Sequence, residues 1–199
     1  MDKKINDKIW LQMKKTKELP EADRELYLFG FTQGIILLLN IITSLCIGIM
    51  MNMLLEVIIY MSCFIPLRIY AGGYHAKTQL RCYVMSSITT VIVMYLSNIL
   101  QRNSGLVEPI VNIISVCIIW SLAPVEDNNK MLSIEERLVY RKKVRSILTL
   151  LLMLAGLFYI LKNNRVVSSI EIAFCFLALV LLLGQLKNKF VKQANREGS

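Results

Sequence analysis

Six apolar runs, separated by short charged segments, limit what this chain can fold into. They fall at roughly 26–49, 51–67, 83–100, 106–123, 146–161 and 166–186. Each approaches or exceeds the ~17 residues a helix needs to cross hydrocarbon. The first two nearly merge but are together too long for one ordinary span, so a hairpin turn is expected around Gly48 and Asn52. Glu56, about one turn beyond, then lies near an interface or buried in the bundle as a structural acid. Hydrophobic residues make up 55% of the chain and charged ones 19%, and the mean hydropathy is +0.54. That balance excludes an ordinary soluble domain. The expected fold is an all-α membrane protein with six transmembrane helices, forming one integral membrane domain over residues 1–199. Residues 1–25 are a polar, basic start, 26–186 the six-span bundle and 187–199 a basic tail. Because the start is polar, no cleavable signal peptide is expected.

The charges between the runs set the orientation. Of the 23 Lys and Arg residues, twenty fall in 1–25, 68–82, 124–145 and 187–199, which six spans place on one side. Only Arg102, Lys162 and Arg165 fall on the other. Such asymmetry puts both termini and the 68–82 segment on the cytoplasmic side of a cell membrane. The net charge of +9 is then matched by membrane lipid bearing anionic headgroups, and no nucleic-acid partner is expected.

Two of these polar segments carry helical signals. Ile5, Ile9, Trp10 and Met13 have helical spacing among lysines, which suits an amphipathic helix on the membrane surface or a solvated helix packed on the bundle. Ser133 precedes Glu136 at capping-box spacing, so a helix is expected to run from there through Arg137, Arg141 and Lys142 into the fifth span. Before it, PVEDNNK reads as a turn. Ser86 and Ser87 are expected to hydrogen-bond between helices.

The stretch RIYAGGYHAKTQLRC, residues 68–82, holds the single histidine of the chain and the one cysteine outside an apolar run. Cys46, Cys63, Cys117 and Cys175 read as small apolar fillers. An imidazole can take the proton of a thiol, because the thiolate is the nucleophile, and can later protonate a leaving amine. His75 and Cys82 are seven residues apart, about 10 Å along a straight helix. Chemistry therefore needs a bent cytoplasmic segment, and Gly72-Gly73 permits one. His75 would sit on an irregular stretch, with Cys82 in the first turns of the third span, where the helix dipole favours a thiolate. Non-helical backbone at that depth is tolerated only against protein or a wet recess. Arg68 and Arg81 add positive potential. Gln79 and backbone amides near Cys82 are candidates to stabilise an oxyanion, and Glu126 or Asp127 to orient His75. By spacing alone, a histidine and cysteine in one cytoplasmic loop of a membrane protein are more often incidental groups of a solvated loop than a catalytic pair. With one histidine, a metal site is not expected, and no cofactor is implied.

The segment R-x3-G-G-x-H-x6-C, set in this six-run layout with a basic amphipathic start, resembles the accessory gene regulator protein B (AgrB) family. The resemblance implies a membrane cysteine endopeptidase for quorum sensing, acting on an AgrD-like precursor peptide. Cys82 would be the nucleophile and His75 the base and acid, with Arg68 and Gly73 at positions tied to activity. Cleavage would pass through an acyl-enzyme thioester to a thiolactone or lactone ring. The resemblance also implies a homodimer. The rival expectation is a peptide transporter or export component that recognises cargo without covalent chemistry.

Overall fold

The structure, a computed structural model, describes residue 10 and residues 24–74, 78–102, 107–126 and 133–197. These form six helices and no strand: α1 (Arg24–Met50), α2 (Leu54–Ala71), α3 (Gln79–Arg102), α4 (Val107–Leu122), α5 (Ile134–Ile160) and α6 (Asn164–Glu197). Five of them contain a segment long and apolar enough to cross a membrane, at Gly30–Met50, Leu54–Ala71, Leu80–Ile99, Ile134–Ile160 and Asn164–Phe190. The fourth helix is apolar but has 16 residues. That gives it a length of about 24 Å, less than the ~30 Å of a typical hydrocarbon core. Of the expected N-terminal amphipathic helix, Ile5, Ile9 and Met13 lie outside the described residues. Trp10 is helical and buried, its ring 6.4 Å from that of Tyr27 on α1.

The chain turns where polar and glycine residues allow it. Between α1 and α2 the Met53 amide donates to Gly48 O (2.8 Å), and Asn52 takes φ 54°, a conformation that Asn tolerates better than most residues. The merged run is thus two helices. A Cβ on Gly48 would lie 2.9 Å from Val57 Cγ2 and 3.2 Å from Leu54 Cα, so the two helices approach closely because that position has no side chain. The capping box forms as expected: Glu136 N donates to Ser133 Oγ (3.2 Å) and Ser133 N to Glu136 Oε2 (2.9 Å).

At the centre stands α6, packed against α2, α3, α4 and α5, while α1 packs on α2 and α3. The sequence of α6 explains this place: from Ile170 to Leu183 it is apolar on nearly every side, the pattern of a helix buried all round. Ala173, Phe174, Leu177 and Leu181 are fully buried there, against Val57 and Leu67 of α2 and Leu148 of α5 in one core.

Several polar groups inside the bundle are paired across helices. Glu56, 3% exposed, faces Arg165 Nε at 3.6 Å and joins the start of α2 to the start of α6. It is a buried structural acid, as expected. Asn112 of α4 donates to Glu171 of α6 (3.3 Å), and Ser115 to Cys175 Sγ (3.5 Å). The α1–α3 contact corrects one expectation. Ser87 donates to Tyr83 O within its own helix (3.1 Å), and the bonds between helices are Ser44 to Thr90 (3.1 Å) and Thr43 to Tyr83 (2.7 Å). A serine hydroxyl satisfied by the carbonyl four residues back has less need of a partner on the next helix.

Gly48→Ala is expected to destabilise the folded chain by about 1–3 kcal/mol, since the added methyl meets backbone on α2. Gly30→Ala and Gly34→Ala, with nothing within 4 Å, should not. Thermal unfolding of the three variants in one detergent checks this.

Candidate active site

The site begins where α2 stops. Ala71 is its last residue, because Gly72 turns to φ 68° and Gly73 to φ 106°, left-handed values that glycine alone adopts without strain. The chain then runs beside the α4–α5 linker. Val125 N donates to Ala71 O (2.9 Å) and Gly73 N to Val125 O (3.0 Å), an isolated parallel bridge. A Cβ on Gly72 would lie 2.2 Å from Val125 O, so no larger residue fits the crossing.

One residue further, the backbone presses onto α6. Tyr74 N donates to Val180 O (3.1 Å). Val180 lies inside a continuous helix, and a carbonyl with two lone pairs can accept a second donor only where the helix surface is open. Gly184 opens it. A Cβ there would fall 2.7 Å from Tyr74 N and 2.8 Å from Gly73 Cα. Arg68, half-buried in the last turn of α2, reaches forward and donates through Nη2 to Tyr74 O. Its Nη1 lies 2.8 Å from where a Gly73 Cβ would be. Lys187 closes the outer side, its Nζ 5.3 Å from the centre of the Tyr74 ring. Arg68, Gly72 and Gly73 thus hold one short arm of backbone in place.

His75 is the next residue and lies outside the described residues, as does Asp127. The chain is described again from Thr78, which stands at the N-terminus of α3. Cys82 N donates to Thr78 O (3.1 Å), and Thr78 Oγ1 accepts from Arg81 N (3.4 Å). Cys82, half-buried, is therefore in the first turn of α3, at the positive end of the helix dipole. The first-turn amides at 79 and 80 have no carbonyl four residues back within the helix. Gln79 opens α3, and the Arg81 side chain is exposed.

Residues 71–79 are consequently not one rod. The arm leading to His75 belongs to α2 and α6, whereas Cys82 belongs to α3, and the spacing of a straight helix does not apply. Glu126 is engaged elsewhere. Its Oε1 accepts from Arg137 Nε (2.9 Å) and also from Arg137 Nη2, and its backbone oxygen accepts from Asn188 (2.6 Å). These contacts tie the α4–α5 linker to α5 and α6. All five cysteines are free, and the described residues contain no His, Cys, Asp or Glu group able to hold a metal ion.

Reading the sequence missed Val125, Val180 and Gly184. Only Gly184 left a signal: a lone glycine inside a helical apolar run costs about 1 kcal/mol against alanine and so points to a close backbone approach.

A sequence model described as Accessory gene regulator B matches residues 5–183. The chain belongs to the accessory gene regulator B family. Among its relatives is AgrB-like protein 2 of Clostridium perfringens (strain 13 / Type A), so named by likeness, at 30% identity over 71% of this chain and 69% of that protein. An AgrB-like protein of the same species, strain SM101, is 29% identical over the same shares. One from Lactiplantibacillus plantarum is 25% identical over 53% of this chain, and the chain spans about half (51%) of that relative's length. No solved structure matches the chain.

Gly184→Ala is expected to release the arm. Deuterium exchange at the Tyr74 amide should speed up by roughly tenfold, the worth of one hydrogen bond. Gly156→Ala, with nothing near its Cβ, should leave that amide unchanged.

Proposed function

We propose that this family member is a membrane cysteine endopeptidase that cleaves an AgrD-like precursor and promotes closure of its ring for quorum sensing. The observation that carries the reading is that α2 stops at Ala71 and α3 opens only at Gln79. A backbone arm held at Tyr74 leads toward His75, and Cys82 lies in the first turn of a helix that starts after it, so straight-helix spacing does not set the separation of imidazole and thiol.

The steps follow from these groups. His75 takes the Cys82 proton, and the thiolate attacks the carbonyl at the C-terminal side of the future signal. First-turn amides of α3 face the developing oxyanion. His75 then gives its proton to the leaving amine, the tail departs and a Cys82 thioester remains. The precursor's own thiol or hydroxyl loses its proton to His75 and attacks that thioester. The ring closes as a thiolactone or lactone, and the Cys82 thiolate leaves and is reprotonated. With a thiol, one thioester is exchanged for another, so little free energy drives the step. Exclusion of water and proximity of the second thiol then decide between closure and hydrolysis. Arg68, Gly72 and Gly73 shape the arm, while Gln79, Arg81 and Asp127 remain candidates for substrate contact or for orienting His75.

In this reading α4 completes a sixth span, and the first residues form an amphipathic helix on the membrane. The α2–α3 linker faces the bacterial cytoplasm, and two copies form a homodimer. The Lys and Arg asymmetry supports the orientation.

Co-expression with an AgrD-type precursor, followed by mass spectrometry of precursor size, tests the chemistry. Cys82→Ser and His75→Ala should each reduce cleavage at least 100-fold, in the range of nucleophile and general-base losses. Alanine at Cys46, Cys63, Cys117 and Cys175 together should leave cleavage in place. A precursor adduct on Cys82, lost with hydroxylamine, is the expected intermediate. Export of uncleaved precursor by the Cys82→Ser variant would instead favour an export component.

A further inference from the structure

The outer face of α5 carries a shallow, open groove of about 590 Å³, with Leu138 at one end, Arg141, Lys142 and Arg145 along it and Leu150 and Met153 further along the helix. None of these residues belongs to the arm or to the first turn of α3. We propose that this groove is a binding site for one anionic phospholipid.

The order of residues is that of such a molecule. Three cations lie within about one turn of helix, followed by Ser146 and Thr149 and then by apolar side chains. Met153 is eight residues past Arg145, about 12 Å along the axis, within the ~15 Å depth of one leaflet's hydrocarbon. Leu150 and Met153 are exposed, on the side of α5 away from its buried stripe of Val144, Leu148, Leu151 and Ala155. In a helix that crosses the bilayer, that side meets acyl chains.

The rim suits a phosphate. Arg141 Nε and Arg145 Nε are shielded from solvent and make no hydrogen bond within the structure described. The guanidinium of Arg145 lies 4.8 Å above the ring of Trp120 on α4, which holds it at the edge of the groove. A guanidinium so placed has donors left for phosphate oxygens, in fork geometry. An acidic peptide would satisfy the cations but would have to enter the bilayer to cover Leu150 and Met153. A phospholipid covers both halves.

Native mass spectrometry of the detergent-solubilised full chain tests this, with phosphatidylglycerol and phosphatidylcholine of the same acyl chains as probes. The unmodified chain should retain phosphatidylglycerol in preference to phosphatidylcholine. The triple variant Arg141→Gln, Lys142→Gln, Arg145→Gln should lose phosphatidylglycerol at least tenfold, since each cation near an anionic headgroup is worth about fivefold. Neutralising Lys189, Lys192 and Arg196 in the tail should have little effect, and Arg141→Lys with Arg145→Lys should keep most binding. Should the triple variant not fold, Lys142→Gln alone, at an exposed position, should cost a few fold. Equal phosphatidylglycerol retention by the triple variant and the unmodified chain would overturn the site. So would an equal loss in the tail variant, or displacement of the lipid by soluble glycerol phosphate or by an acidic peptide.

Discussion

Backbone that leaves a helix at the level of a membrane must find partners for its N–H and C=O groups, because each one left open in hydrocarbon costs several kcal/mol. The segment after α2 meets that constraint at four of its groups. Ala71 O and Gly73 N bond Val125, Tyr74 N bonds Val180, and Tyr74 O accepts from Arg68. Once the four are satisfied, the chain can stop being helical without losing its place. The place of the arm as far as Tyr74 depends on these bonds.

The partners come from three separate parts of the chain, and this ties the site to the bundle. Val125 belongs to the α4–α5 linker, which is itself held by Glu126 to Arg137 and by Asn188 to the Glu126 carbonyl. Val180 belongs to α6, the helix that the others surround. The arm therefore rests on the most buried element of the fold. Arg68 acts here through the backbone, as a positioning residue for the arm, which gives a physical meaning to its place four residues before the glycine pair.

Features that depend on neighbours in sequence were legible. The hairpin at Gly48 and Asn52, the Ser133–Glu136 box and the break at Gly72-Gly73 follow from turn chemistry, capping and hydropathy within a few residues. Features that depend on helix-to-helix contact were not. Ser86 and Ser87 look as suited to bridging helices as Ser44 and Thr90, and only the packing of α1 on α3 selects the latter pair. Val180 carries no sign that its carbonyl serves another segment. The fourth run is apolar enough for a span, yet the helix described there has 16 residues.

By itself the sequence determined an all-helical membrane bundle, its turns, and the glycine break that ends α2 before His75, since hydropathy and backbone preference are local properties. Only the tertiary structure decided which surface receives the broken backbone. Lipid-facing and helix-facing residues are apolar alike, and so a glycine such as Gly184 signals a close approach in sequence, while only the fold shows that Gly73 and Tyr74 make it, within 3 Å of where its Cβ would be.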